Sequence, residues 1–168
     1  MEKIKLTING IETEVEQGST ILEAAKSVGV YIPTLCHLNL DGFEICNEVS
    51  SCRVCMVEVE GRPALVTACS EKCAPGMVVR TDSARALNGR RTVLELLLSN
   101  HPKDCLVCAK NLDCELQFLA KELNINQIHY EGEMMDYPVD TTSRSLIKDP
   151  NKCIMCRRCE TMCNEVQT

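Results

Sequence analysis

KIKLTINGIETEVE, residues 3–16, holds two runs in which apolar and polar residues alternate, KIKLTI at 3–8 and IETEVE at 11–16, around Asn9-Gly10. Alternation gives each run one face for a core and one for water. Asn-Gly supplies the positive-φ positions that a two-residue hairpin turn requires. Working outward, Thr20 and Glu23 form a capping box ahead of Ile21, Leu22, Ala24, Ala25 and Val28, and Gly29 ends that helix. Pro33 follows, and the chain enters a cysteine-rich loop. Residues 54–60 (VCMVEVE) alternate again, Gly61-Arg62-Pro63 is a turn, and 64–69 (ALVTAC) and 77–81 (MVVRT) read as two further strands.

Hairpin, helix, cysteine loop and strands in that order predict an α+β domain over residues 1–82, a small mixed sheet packed on one helix in the β-grasp manner. After Asp82 the pattern changes. Ala84, Leu87, Leu94, Leu97 and Leu98 fall on one helical face, and Asn100-His101-Pro102 ends that helix. A second helix is expected at 114–123 (CELQFLAKEL). Residues 83–124 therefore read as a small helical domain. Residues 125–148 read as a polar connecting segment and 149–168 as a final cysteine-rich module.

Bulk composition narrows the function. Only five of the 168 residues are aromatic and none is Trp, so the core lacks the side chains that bury most area. Thirteen cysteines offer another source of folding free energy, because metal ligation supplies it directly. A net charge of −6 with interspersed signs lacks the basic face of a nucleic-acid binder. The N-terminus MEKIKLTING has no signal-peptide pattern, and no window is apolar enough to span a bilayer. A cytoplasmic protein without membrane insertion is the expectation. In that compartment close-spaced cysteines read as metal or redox sites rather than disulfides.

The cysteines form three constellations. The first is Cys36…Cys52-x2-Cys55…Cys69. Plant-type ferredoxins bind 2Fe–2S through C-x4-C-x2-C and a distant cysteine. Here the first gap is 15 residues, yet the tight pair sits between a helix and a strand as that chemistry needs. Zinc on the same thiolates is the competing reading. Cys46 and Cys73 are read as non-ligating. The second is His101-x3-Cys105-x2-Cys108-x5-Cys114, where three thiolates and one imidazole suit a 4Fe–4S cluster, with Cys3His zinc as the rival. The third, Cys153-x2-Cys156-x2-Cys159-x3-Cys163, is the bacterial ferredoxin run without its trailing Pro. No cysteine follows Cys163, so these four thiolates either share one cluster or belong to a module whose second half is absent; the latter is expected. His37 and His129 have no ligand-like company and read as structural or solvated.

The segments TLCHL (34–38), SSCRVCMVEVEG (50–61), HPKDCLVCAKNLDCELQ (101–117) and DPNKCIMCRRCETMCNEVQ (149–167) together resemble the N-terminal region of the iron-only (FeFe) hydrogenases, especially the NAD(P)-linked, multi-subunit kind. They are also similar to the large iron–sulfur subunit of complex I and of NAD-linked formate dehydrogenases. The resemblance implies a 2Fe–2S cluster on Cys36, Cys52, Cys55 and Cys69, and a 4Fe–4S cluster on His101, Cys105, Cys108 and Cys114. It implies a further 4Fe–4S cluster on Cys153, Cys156 and Cys159, with Cys163 serving a neighbouring one. It also implies an electron-transfer role between a flavin- and NAD(P)-binding iron–sulfur subunit, with a small 2Fe–2S subunit beside it, and a hydrogen-activating site. No residue here matches that site, so the chain itself is not expected to make or split hydrogen. No G-x-G-x-x-G or G-x-x-x-x-G-K-[ST] motif is present for a nucleotide. A stand-alone ferredoxin-like carrier and a zinc interaction module are the rival classes.

Overall fold

The computed structural model describes residues 2–40, 45–47 and 50–167, with Ile45 and Cys46 described by backbone alone. The reading of Cys46 as a non-ligand therefore lies outside the described side chains. The chain divides into two compact units, Met1–Arg90 with Cys156–Thr168, and Arg91–Met155.

In the first unit, β1 (Lys3–Ile8) and β2 (Ile11–Glu16) pair antiparallel with Ile8 opposite Ile11. Asn9 and Gly10 both take positive φ, 50° and 84°, as a primed hairpin turn demands. Asn9 also reaches across the sheet. Its Oδ1 accepts from the Thr81 backbone N–H at 2.8 Å, and its Nδ2 donates to Thr81 Oγ1 at 2.7 Å. Three more strands, β5 (Met56–Val59), β6 (Val66–Thr67) and β7 (Val78–Arg80), complete a five-stranded mixed sheet ordered β2-β1-β7-β5-β6. The β1–β7 pair is parallel; the other pairs are antiparallel.

The alternation read in the sequence becomes a core. Ile4, Leu6 and Ile8 of β1 pack with Val57, Val59 and Val79 against Ile21, Ala24 and Ala25 of α1 (Ile21–Ser27). Each fully buried Ile or Val contributes about 1.5–3 kcal/mol. The capping box forms: Glu23 N–H donates to Thr20 Oγ1 at 3.2 Å, and Thr20 N–H donates to Glu23 Oε2 at 2.7 Å. The box fixes the start of the helix, and the Val28 N–H closes its other end on the Ala25 carbonyl ahead of the cysteine loop.

Two details differ from the sequence reading. The expected strand at 64–69 shrinks to Val66–Thr67, because the Thr67 carbonyl accepts from the N–H groups of Ser70 and Glu71 and turns the chain. The long loop after Cys36 carries a small pair, β3 (Asn39–Leu40) with β4 (Ile45–Cys46). Buried Asn47 clamps it, accepting from Leu38 N–H at 2.6 Å and donating to the Cys36 carbonyl at 2.8 Å. An amide that mimics backbone in this way leaves little periodic signal.

Helix α2 (Ala84–Ser99) runs from the first unit into the second. Its buried stripe is Ala86, Arg90 and Leu94, while Ala84 is exposed. Arg90 enters the stripe because its Nε donates to the Met56 carbonyl at 2.9 Å. In the second unit α3 (Glu115–Glu122) buries Leu116 and Leu119, and Arg91 Nε holds the Leu123 carbonyl at 3.0 Å. Single 3-10 turns occur at Cys105–Val107 and Pro150–Lys152. Residues 125–149 contain no helix or strand, only one isolated bridge between Asp140 and Lys148. The last cysteine-rich stretch closes in a helix the sequence reading did not place, α4 (Arg158–Glu165) in the first unit. Among the described residues no helix is long and apolar enough to cross a membrane.

Candidate metal centres

Cys36, Cys52, Cys55 and Cys69 are all buried in the first unit. Cys36 lies past the end of α1, Cys52 and Cys55 in the turn before β5, and Cys69 in the turn after β6. Residues Ser50 and Arg53 adopt positive φ, 50° and 58°. Such a conformation is uncommon for residues other than Gly and concentrates at functional sites.

The four thiols associate in twos, Cys36 with Cys52 and Cys55 with Cys69. The hydrogen bond from Cys52 draws Cys36 down to about 5, and the same bond with burial pushes Cys52 up. In the other pair the Cys55 hydrogen bond, with help from Ser50, lowers Cys69 to about 6, while Cys55 is raised. Backbone N–H groups of Ser51 and Cys52 point at the Cys36 sulfur and that of Val54 at Cys52. No group of three or more His, Cys, Asp and Glu side chains among the described residues forms a ready single-ion site. Two pairs of soft donors, ringed by backbone N–H groups, suit a two-iron cluster with two thiolates per iron.

The remaining first-unit candidates separate cleanly. Cys73 sits in the hydrophobic core, where burial pushes its thiol up to about 11. His37 is held down chiefly by burial, and its Nδ1 is buried with no hydrogen-bond partner among the described residues.

In the second unit His101, Cys105, Cys108 and Cys114 line one hollow, with Asn111 and Gln117 beside them. The fold builds it from the end of α2, the Cys105–Val107 turn and the start of α3, where Cys114 is the residue preceding Glu115. His101 Nδ1 lies 3.0 Å from the Pro102 carbonyl. A carbonyl only accepts, so Nδ1 carries the proton and Nε2 keeps its lone pair for a metal. The Lys110 N–H approaches Cys108 Sγ at 3.5 Å, an N–H···S contact within the loop. Lys152 Nζ bridges to Asp104 at 3.0 Å, tying the residue before Cys105 to the residue before Cys153. His129, read from sequence as structural or solvated, is hydrogen-bonded through Nδ1 to Glu95 at 2.9 Å, which holds the Glu95 carboxyl below the usual range.

The third run is divided, Cys153 in the second unit and Cys156, Cys159 and Cys163 in the first. Met155 and Arg157, between the cysteines, take φ of 53° and 59°. Met155 N–H approaches Cys153 Sγ at 3.4 Å. Cys159 and Cys163 stand four residues apart on α4, one turn above the other.

Buried paired thiols on a mixed sheet, followed by a His-and-Cys hollow between helices, define the class as iron–sulfur cluster-binding proteins. The chain belongs to the 2Fe–2S iron–sulfur cluster binding domain family, which matches residues 1–84, and residues 90–129 match the NADH-ubiquinone oxidoreductase-G iron–sulfur binding region. A 2Fe–2S domain and a 4Fe–4S region are thus both present, which sets the zinc reading aside. Among individual proteins, the chain is 56% identical over 168 residues to the NADP-reducing hydrogenase subunit HndD of Solidesulfovibrio fructosivorans, covering all of this chain and 29% of that one. It is 34% identical over 168 residues to the mitochondrial 78 kDa subunit of NADH-ubiquinone oxidoreductase of Candida albicans, covering 99% of this chain and 23% of the relative. The solved NAD+-reducing NiFe hydrogenase in its H2-reduced state superposes with a TM-score of 0.84 at 32% identity, over 95% of this chain and 65% of that one. The chain therefore spans under a third of the length of the curated relatives it matches.

Proposed function

We propose that this chain is the electron-transfer region of an NAD(P)-linked iron-only hydrogenase complex. It passes single electrons between a flavin- and nucleotide-binding iron–sulfur subunit, accompanied by a small 2Fe–2S subunit, and a hydrogen-activating site outside residues 1–168. In this reading residues 1–82 form a β-grasp 2Fe–2S domain on Cys36, Cys52, Cys55 and Cys69. Residues 83–124 form a helical 4Fe–4S domain on His101, Cys105, Cys108 and Cys114, and 125–148 connect. Residues 149–168 begin a ferredoxin-type module on Cys153, Cys156 and Cys159, with Cys163 serving the same or a neighbouring 4Fe–4S cluster. A cytoplasmic setting in an anaerobe accords with twelve described cysteines, all of them free.

The observation that carries the electron-transfer reading is the two-and-two pairing of the buried thiols. Bound there, a cluster supplies one-electron redox chemistry without proton or atom transfer. The chain's own residues do the rest. Backbone N–H groups at Ser51, Cys52 and Val54 offset negative charge on the sulfurs, burial excludes water, and the α2 and α3 ends hold His101 and Cys114 at a fixed separation. The 56% identity to the hydrogenase subunit favours the hydrogenase context, and the 34% identity to the ubiquinone oxidoreductase subunit supports a complex I-like oxidoreductase as the second reading.

The test is EPR of the reduced, anaerobically purified protein with iron quantification. One 2Fe–2S signal and at least one 4Fe–4S signal are expected. Zinc with little iron and no visible absorption defeats the proposal. A His101→Cys variant adds a thiolate charge to one 4Fe–4S centre and lowers its potential; if no centre moves, His101 is not a ligand. Co-purification with its genomic neighbours distinguishes a complex subunit from a free carrier.

A further inference from the structure

Ser50 occupies an unusual place in the first unit. It has a φ of 50°, a strained value for a residue other than Gly. That twist carries its hydroxyl to 3.2 Å from Cys69 Sγ, 2.8 Å from Ser70 Oγ and 3.4 Å from Thr67 Oγ1. Thr67 is buried, and its Oγ1 lies 2.8 Å from Ser70 Oγ. Three hydroxyls therefore meet on one side of one cysteine, and nothing in a 2Fe–2S ligand set requires them.

A hydroxyl has one proton to give. While Cys69 is a thiol, either sulfur or oxygen can donate. Once Cys69 is a thiolate on iron it can only accept, so the Ser50 proton turns to the sulfur, the neighbour that bears negative charge. Thr67 and Ser70 satisfy each other at 2.8 Å, so neither is left unpaired when Ser50 turns away. The bond is stronger the more negative the sulfur, and reduction makes every sulfur of a cluster more negative. Hydrogen bonds to the sulfurs are among the levers that set cluster potentials.

We infer that Ser50 is a tuning residue: its hydroxyl donates to the Cys69 sulfur, favours the reduced 2Fe–2S cluster and raises its potential. The inference rests on the proposed assignment of Cys69 as a 2Fe–2S ligand. Ser51 and the backbone N–H groups serve the Cys36 side, so Ser50 is the side-chain donor on the opposite pair.

The experiment is an EPR-monitored redox titration of the full chain and its S50A and S50G variants, with iron content measured on each. Glycine removes the hydroxyl while accepting the positive φ without strain, which separates the hydrogen bond from the backbone. Both variants are expected to keep the cluster and to shift its one-electron equilibrium toward the oxidised form by up to about tenfold, equivalent to 59 mV more negative. The His-Cys centre should not move. S70A, which leaves the Ser50–Cys69 contact in place, should shift the 2Fe–2S potential less than S50A does. Unchanged 2Fe–2S potentials in both Ser50 variants overturn the inference, as does failure of both to hold the cluster, which makes Ser50 a folding residue. Absence of any 2Fe–2S signal in the unsubstituted protein defeats the ligand assignment itself.

Discussion

The two units hold their sulfur donors by different means. In the first, Cys36, Cys52, Cys55 and Cys69 are buried, and a five-stranded sheet with α1 surrounds a continuous apolar core. In the second, Cys105 is exposed and Cys108 and Cys114 are half-buried, while Leu106 and Leu112 in the same loops are about nine-tenths exposed. The second unit's buried apolar side chains are Leu94, Leu116, Leu119 and Leu123. One region folds around its own hydrocarbon, with its four candidate ligands buried; the other carries its candidate ligands on exposed or half-buried loops, so under the proposed assignment ligation would supply much of its order.

The largest expected effect follows directly. Stripping iron with a chelator under reducing, anaerobic conditions should abolish amide protection in residues 101–117 and weaken it through α3, while β1, β5 and β7 stay protected. Hydrogen exchange followed by mass spectrometry reads this, and equal loss in both units breaks the contrast. Next, Ile8→Ala, at a fully buried core position, should destabilise the first unit by about 2–5 kcal/mol, whereas Leu106→Ala should cost under about 0.5 kcal/mol in the protein stripped of iron. Denaturant titration compares them.

A third test sharpens the picture at His101. A Cβ at Gly132 would lie 2.7 Å from the Ser99 carbonyl carbon and oxygen and would meet the Asn100 side chain as well, so Gly132→Ala must displace the end of α2. It should cost about 1–3 kcal/mol and broaden or shift the 4Fe–4S EPR signal while the 2Fe–2S signal is unchanged. The smallest effect concerns pH. The Glu95 carboxyl is depressed by its hydrogen bond with His129, so its contribution is present above the ordinary carboxylate range and is lost as pH falls through its lowered value. Glu95→Gln should flatten the acid limb of the second unit's stability and leave the sheet's unchanged.

Much of the first unit is legible in the sequence because its determinants are local. Alternation at 3–8 and 11–16, Asn9-Gly10, and the Thr20–Glu23 box each act over a few residues and survive intact. The β3–β4 pair is not, because Asn47 holds it by side-chain bonds to Leu38 and Cys36 across 9 and 11 residues. Arg90 in the buried stripe of α2 defeats hydrophobic periodicity, since its partner is a carbonyl on β5. The set His101, Cys105, Cys108 and Cys114 is legible from its spacing, and the structure places all four on one hollow. Ser50 carries no such signal: its role depends on a positive φ and on Cys69, 19 residues away. Helix α4 is hidden by its own cysteines, whose spacing reads as ligation although Cys159 and Cys163 also fit one helical turn.

The parallel pairing of β1 with β7 has a consequence for how the protein is made. The first strand begins at Lys3 and its partner at Val78, so the sheet cannot close until nearly the whole 2Fe–2S domain has left the ribosome. Contacts of such long range form late, and domains generally fold as units during synthesis. Cys36, Cys52, Cys55 and Cys69 all lie between those strands, so by the time the sheet closes every thiol is already outside. A nascent chain therefore cannot close the sheet around an incomplete set of these four sulfurs.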